Sequence, residues 1–531
     1  MPDGTFTYRR REPEAGDLHR VVRTWLASAE ALMAERLGED VRLPAFVHKA
    51  IAKYLDCGQL AKGFVRVRCD DCGDDRLIAF SCKVRGLCPS CDGRRMADEG
   101  AQLVDNVLPV APYRQWVLTF PFWLRYRLAW DRSLREAVLK IFVDVVSRFY
   151  VDRSGRTDAK AGAISVLHRF DSGLKSDIHW HILFADGVWT PTTERAPTEP
   201  GPIAFRAAKP LQEDDVPTVL AAIHRRVLHL LKLRKIHQDD VETGEVPDEF
   251  AAVEPAMAAV LKASLLGLSV VEPGTGPRQQ RERGPKPDVV HRRGRHCADL
   301  GQFSLHANTR IGELARVGLE NMVRYLCRPA LAAGRVELLE NDTVVRLRLK
   351  SAWKDGTTHI LLASADFVLR LCALIPLPRR ATVHYHGVFA PASAWRRQVV
   401  RHTARPRVKK LPKLPPDPAD ATVAELQALK EALLKPAPSR MSMAELFRRV
   451  FKFEILDCAC GGRRRVIATI PEGSIATRIL EHLGLPTTAV GALPIRAPPG
   501  DDFGWAYAMN DDPDAIDEAP PDDLPFFDAV A

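Results

Sequence analysis

Apolar positions change their spacing several times along this 531-residue chain, and each change marks a predicted element. From Leu18 to Gly58, Val21, Leu26, Leu32 and Leu37 stand among charges, followed by Phe46, Val47 and Ile51, which predicts helices. The run Arg114 to Leu118 (RQWVL) reads as a strand, Pro121 breaks the pattern, and Leu134 to Tyr150 reads as a helix. Two strands are expected at Ala163 to Phe170 and Ile178 to Phe184, the latter ending in the turn dipeptide Asp186-Gly187. Beyond Thr190 the pattern weakens. One helix, Val216 to Ile236, stands between proline-rich and charged pieces, and Arg278 to Arg295 has the basic, Gly- and Pro-containing character of a flexible insertion. A strand at Gly301 to Ala307 and an amphipathic helix over Ile311 to Cys327, stopped by Pro329, restore order. A hairpin of Val344 to Leu349 with Thr358 to Leu362 and a helix over Ala365 to Leu374 complete the pattern.

This order of elements predicts an α+β protein in six parts. They are an N-terminal helical region (1–56), a cysteine-rich ribbon (57–100) and a larger domain (101–395) with a variable insertion at about 190–299. A basic linker (396–421), a small C-terminal unit (422–490) and an acidic, disordered tail (491–531) follow. No internal repeat is visible.

Composition narrows the class. No run of eighteen apolar residues occurs, and the polar start, Met1 to Glu12, lacks the apolar core of a secretory signal. A reducing, intracellular setting is therefore expected. The net charge of +9 understates the basic character, because residues 501–531 hold ten acidic residues and no Lys or Arg, which leaves +19 on the remainder. A surface of that sign attracts polyanions such as nucleic acid, although a merely well-solvated surface would look the same.

In a reducing compartment eleven cysteines, six of them between Cys57 and Cys91, suggest metal rather than disulfides. Cys69-Asp-Asp-Cys72 and Cys88-Pro-Ser-Cys91 are two CxxC pairs at the spacing of a structural zinc ribbon, so these four are the expected ligands. Cys57 and Cys82 are left over; either could replace a ligand, but they read first as small buried residues. Lys83, Arg85, Arg94 and Arg95 crowd the knuckles densely enough to suggest contact with phosphates.

Two further features carry chemistry. His179 and His181 flank Trp180 in a strand, so both rings face one side and could share a divalent ion; His168, in the preceding strand, could come alongside. A lone His-x-His is more often an ordinary core or surface feature, and a rival pair, His384 and His386, ranks second. Tyr325 lies near the end of an amphipathic helix between Arg324 and Arg328, suited to a phosphate, although a core tyrosine would fit the same pattern.

Taken together these segments resemble transposases of the IS91 type, relatives of the rolling-circle HUH endonucleases. The likeness runs through Cys57-Gly58, FSCKVRGLCPSC (Phe80 to Cys91), Arg94-Arg95-Met96, VLP..PYRQWVLTFP (Val107 to Pro121) and HWHILFADGVW (His179 to Trp189). It continues through SLHA (Ser304 to Ala307), RYLCRPALAAGRV (Arg324 to Val336), WKDGTTHI (Trp353 to Ile360), YHGVFAP (Tyr385 to Pro391) and FKFEILDCACGGRRRVIATI (Phe451 to Ile470). About seven-tenths of the chain is covered, excluding Thr190 to Asp299 and the tail. The resemblance implies an HUH-type antiparallel sheet with flanking helices, structural Zn2+, and catalytic Mg2+ or Mn2+ on His179 and His181. It also implies Tyr325 as nucleophile, leaving a 5′-phosphotyrosine and a free 3′-hydroxyl. Conjugative relaxases carry a third histidine ahead of the pair, where His168 stands here, while glutamine is more usual in IS91-type chains. Arg324, Arg328 and the ribbon's basic residues would bind DNA: the single-stranded or hairpin ends of a mobile element, and its target, in a bacterial cytoplasm at the nucleoid.

Two departures stand out. Some relatives carry paired tyrosines four apart, but Asn321 and Pro329 occupy those positions here. The C-terminal motif of relatives, CPxCGG, is shortened to Cys458-Ala459-Cys460-Gly461-Gly462, a poorer knuckle for a metal. A replication initiator or relaxase would share the chemistry, and a zinc-ribbon regulator with an inert site would share the ribbon.

Overall fold

The computed structural model describes residues 12–192, 202–236, 248–271, 280–283, 296–339, 341–353, 355–378, 381–400, 449 and 456–495. Most of the basic linker, the acidic tail beyond 495 and most of the Arg278 to Arg295 insertion lie outside these residues.

Helices α1 (Asp17–Leu37) and α2 (Ala45–Leu55) come first, then a hairpin of β1 (Gly63–Cys69) and β2 (Asp75–Ala79), then α3 (Pro89–Asn106). Strand β3 (Tyr113–Thr119), helices α4 (Phe122–Trp130) and α5 (Arg132–Ser154), and strands β4 (Gly162–Phe170) and β5 (Ser176–Ala185) follow. A small hairpin, β6 (Gly187–Pro191) with β7 (Ile203–Ala207), precedes helices α6 (Asp215–Leu233) and α7 (Pro255–Leu266). Next come β8 (Gln280–Arg283), β9 (Cys297–Leu300), β10 (Phe303–His306), β11 (Arg310–Ile311) and helix α8 (Arg316–Leu326). Strands β12 (Val336–Leu339), β13 (Val344–Arg348) and β14 (Thr357–Ala363), helix α9 (Ser364–Leu374), β15 (Val383–Gly387), β16 (Arg464–Pro471) and α10 (Ser474–His482) end the series.

The expected mixture of helices and antiparallel sheet is present. The central sheet has the order β15-β4-β5-β3-β10-β9, with β11 also on β3, and each of its pairings is antiparallel. A second antiparallel sheet, β12-β13-β14-β8, lies beside it. The third is β16-β1-β2.

Alternation along the strands sorts the core into two layers. Trp116, Trp180, Ile182 and Phe184 point to one face and pack with Phe142, Val146 and Tyr150 of α5. Tyr113, Ile164, Val166 and Leu183 point to the other and pack with Leu319, Met322, Val323 and Leu326 of α8 and Leu103 and Val104 of α3. Strand β5 is thus covered on both sides. Helix α4 falls where the sequence reads as a break: Pro121 supplies its N-cap, and Trp123, Leu124 and Leu128 go into the core. Helix α8 begins later than expected because Arg310 and Ile311 pair with Arg114 and Tyr113 as strand.

One buried charge network ties the sheet's end together. The Asp186 carboxylate accepts from Arg114 Nε at 3.1 Å, from the Tyr150 hydroxyl at 2.9 Å and from Arg310 Nε at 2.7 Å. Arg114 and Asp186 are both buried. Asp186→Ala would strand the Arg114 guanidinium without its counter-charge, a change that costs about 3–5 kcal/mol in such sites. Urea unfolding should show that loss; a change below about 1 kcal/mol would mean the network contributes little.

Candidate active site and metal centres

Strand register brings the three sequence-predicted histidines together. His179 and His181 share one face of β5, and β4 sets His168 directly opposite His179, with Val166 opposite His181. Ring centroids lie 5.2 Å (His168–His179), 4.2 Å (His168–His181) and 5.0 Å (His179–His181) apart. One nitrogen from each ring falls within 4.8 Å of the other two. All three rings are buried.

Each ring is also held from outside. His168 Nε2 donates to the Leu326 carbonyl at 2.7 Å, the Gln115 amide lies 2.6 Å from His181 Nδ1, and His179 Nδ1 faces the Asp177 carbonyl at 3.2 Å and its carboxylate at 3.4 Å. That leaves His168 Nδ1 and His181 Nε2 buried with no hydrogen-bond partner. Orphaned polar atoms cost about 1–3 kcal/mol each. An imidazole bonded at its outer nitrogen and bare at its inner one is the usual arrangement around a bound metal ion. Burial, reinforced by Arg328 and the neighbouring rings, lowers the pKa of His168 and His181 well below the ordinary imidazole value. They are therefore neutral, the form that ligates. Burial pushes the Asp177 carboxyl up, but Arg125 and His179 outweigh it and hold it below the usual range.

Gln115 is a residue the sequence reading missed. Its Oε1 is buried without a partner while its Nε2 faces His181. Turned over about its last bond, the amide would accept from His181 Nδ1–H and leave the ring's Nε2 free to ligate. Gln115→Leu should therefore weaken Mn2+ binding by roughly 10–100-fold, read by titration calorimetry; unchanged affinity would remove Gln115 from this role. Asp177 had a visible signal, two positions before His179 on the same face. Gln115 had none, since only the β3–β5 pairing brings it near.

Tyr325 occupies the last turn of α8, its ring centroid 5.9 Å from that of His181. The Arg328 guanidinium lies 4.9 Å and Lys350 Nζ 4.6 Å from the ring centre. The sequence reading did not include Lys350. Arg324, expected beside Tyr325, lies against α3 instead: a Cβ on Gly100 would fall 2.6 Å from its Cγ. His384 and His386 pair opposite Ser165 and Ala163, so they face the far side of the sheet, where His386 Nε2 is 2.8 Å from Ser165 Oγ.

The cysteines need a correction. Cys69, Cys72, Cys88 and Cys91 do not meet around one point; they divide between two quartets, Cys57/Cys82/Cys88/Cys91 and Cys69/Cys72/Cys458/Cys460. Cys69 and Cys72 lie at the tip of the β1–β2 hairpin, roughly 15 Å along the strands from its base. At that base Gly58 N–H donates to the Phe80 carbonyl at 3.0 Å, which brings Cys57 and Cys82 to Cys88 and Cys91 at the start of α3. Cys57 and Cys82 thus stand in a cluster, in the ligand positions the sequence reading ranked second, rather than as isolated buried residues. Sulfur separations there are 3.7 Å (Cys57–Cys88), 3.8 Å (Cys57–Cys91) and 3.5 Å (Cys82–Cys91). Thiolates about 2.3 Å from a tetrahedral zinc stand about 3.8 Å apart. The residues fit the ion. Of the nearby basic side chains, Lys83 and Arg85 are exposed, Arg94 donates to Ser81 Oγ at 3.3 Å, and Arg95 bonds Asp92 at 2.5 Å.

Residues 29–120 match the family described as "Transposase zinc-binding domain", and residues 162–397 match the family described as "Putative transposase". Over 149 residues the chain is 26% identical to the transposase for insertion sequence element IS801 of Pseudomonas savastanoi pv. phaseolicola. That segment covers 27% of this chain and 35% of the relative, so the match spans about a third of the relative's length. No solved structure matches the chain. The zinc-binding family and the cysteine clusters together support structural Zn2+. Among the described residues, no helix is long and apolar enough to cross a membrane.

Proposed function

Because this chain belongs to the IS91 family of transposases, we propose that it cuts and rejoins single DNA strands, with Tyr325 as nucleophile and His168, His179 and His181 holding Mg2+ or Mn2+. The observation that carries this reading is the meeting of three buried imidazoles with a tyrosine ring across one face of an antiparallel sheet, the arrangement expected of an HUH-type nuclease.

Attack by Tyr325 Oη would form an oxygen–phosphorus bond and break the bond from phosphorus to the 3′-oxygen. The product is a 5′-phosphotyrosine and a 3′-hydroxyl, the phenolic proton having passed through solvent to the leaving oxygen. Reversal against a second strand joins DNA. A divalent cation, when bound, would supply Lewis-acid stabilisation to the phosphate oxygens. Lys350 and Arg328, both against the Tyr325 ring, are suited to the phosphate and to the phenolate that forms as the proton leaves. The Leu326 carbonyl ties the end of α8 to His168, which keeps nucleophile and histidines in one frame. Among the described residues, Tyr325 is the tyrosine whose ring stands against His181, so in this reading strand transfer proceeds by its successive use.

The substrate in this reading is the end of a mobile element, single-stranded or extruded as a hairpin, and then its target, since a tyrosine nuclease needs an accessible strand. Exposed Lys83 and Arg85, with half-buried Arg94, Arg95 and Arg324, would grip backbone phosphates. The test is incubation of the full chain with a labelled single-stranded oligonucleotide and Mn2+, followed by denaturation and peptide mapping. A DNA-linked peptide containing Tyr325 supports the proposal. Binding without any adduct would favour a DNA-binding regulator with an inert site.

A further inference from the structure

We propose that Cys69, Cys72, Cys458 and Cys460 form a second tetrathiolate zinc site that clasps the C-terminal strand onto the N-terminal ribbon. This inference is independent of the nuclease reading. Cys458 and Cys460 also lie outside both segments matched to families.

The two halves of the cluster are remote in sequence and touching in space. Cys69 Sγ is 3.6 Å from Cys460 Sγ across 391 positions, and Cys72 Sγ is 3.4 Å from Cys458 Sγ across 386. These separations approach those of the first quartet and the roughly 3.8 Å of a tetrahedral zinc site. Strand pairing produces the meeting. Along β1 and β16 the register runs from Gly63↔Pro471 to Cys69↔Arg464. Both knuckles therefore open at the same end of the sheet.

The Cys-x-Cys spacing, too tight for an ordinary knuckle, is rescued by what surrounds it. The Gly462 amide lies 3.4 Å from Cys460 Sγ, and the Arg464 guanidinium 3.4 Å from Cys458 Sγ. Arg464 is itself buried and bonded to Asp74 at 2.7 Å, so a fixed positive charge stands beside four thiolates whose zinc complex would carry a net charge of about −2. Both glycines of Cys-Gly-Gly are needed. Gly461 has a φ of +88°, and a Cβ on Gly462 would fall 2.0 Å from the Asp71 carboxylate and 3.0 Å from Cys69 Sγ. Only bare backbone lets one knuckle lie this close to the other.

A second contact fastens the same part of the chain. Arg449 bonds Glu320 of α8 through Nη2 at 2.6 Å and also pairs with Asp105 of α3; both carboxylates are buried and Arg449 is largely so. The C-terminal segment is thus held at two points, an ion-pair cluster on the helix of Tyr325 and a metal clasp on the ribbon. The clasp is the more accessible of the two metal sites: Cys72 and Cys460 are exposed, whereas Cys57, Cys88 and Cys91 are buried. It should lose its metal first.

Native mass spectrometry of the zinc-loaded full chain should find two zinc ions, and one in Cys458→Ser/Cys460→Ser. Gly462→Ala keeps every thiol, and exposed Asp71 can swing aside, but the new Cβ would press on Cys69 Sγ at 3.0 Å, so this variant should release its second zinc more readily than wild type. EDTA added to the wild type should remove one ion ahead of the other. That step should raise amide exchange in 464–471 by at least about tenfold while the β1–β2 pairing stays protected. A wild type holding a single zinc would overturn the proposal, as would a double variant still holding two. Loss of one zinc with no change in exchange at 464–471 would overturn the clasp.

Discussion

Replacing Tyr325 with phenylalanine should abolish the covalent protein–DNA adduct while leaving the fold in place. The phenyl ring can keep the position 5.9 Å from His181 and between Arg328 and Lys350. Only the attacking oxygen is lost. Removal of a nucleophile commonly lowers turnover by at least about 1000-fold, so the denaturation-resistant band should vanish at any practical protein concentration. Thermal unfolding should be within about 0.5–1 kcal/mol of wild type. An adduct persisting in this variant would move the nucleophile. Tyr385 would be examined first, because it pairs opposite Ile164 and so shares the histidine face one strand away. That result would leave both cysteine quartets unaffected.

The second large effect concerns His181, and its sign separates a ligand from a core residue. An ordinary buried histidine supports the fold, so its removal destabilises. Here the apo protein carries an orphaned His181 Nε2 and an orphaned Gln115 Oε1. Replacing both partners by apolar groups of similar size, in His181→Leu/Gln115→Leu, should leave metal-free stability within about 1 kcal/mol of wild type or raise it. The same change should eliminate the rise in melting temperature that Mn2+ produces in wild type, a gain set by RT ln(1 + [L]/Kd). Adduct formation should fall with it, by about 1000-fold or more. A large loss of metal-free stability, with Mn2+ still stabilising the variant, would make these histidines structural and would remove the proposed cation site.

Much of the candidate site's geometry was legible because strands are locally simple. Alternation puts His179 and His181 on one face whatever the fold, and an antiparallel partner eleven positions earlier almost had to bring His168 alongside. Helix α8 was legible from its apolar stripe, and Tyr325 from its place at the helix end. Lys350 and Gln115 were not, since each reaches the site from a strand or bend whose position depends on pairing elsewhere. Arg324 shows the converse. It adjoins Tyr325 in sequence, yet neighbours on a helix diverge by about 100°, and this one is drawn to α3 at Gly100.

The cysteines mark the boundary most clearly. The family follows from the likeness of its motifs, and the mixed α and antiparallel β class and the presence of thiolate knuckles follow from residue types and spacing, because each is written in segments of a few to twenty residues. Which knuckles face one another is decided by contacts across hundreds of residues. A hairpin of ordinary length carries Cys69 and Cys72 away from Cys88 and Cys91, and a strand from the far end of the chain comes to meet them. Local spacing records how a ligand pair is shaped; only the folded chain records which pair it faces.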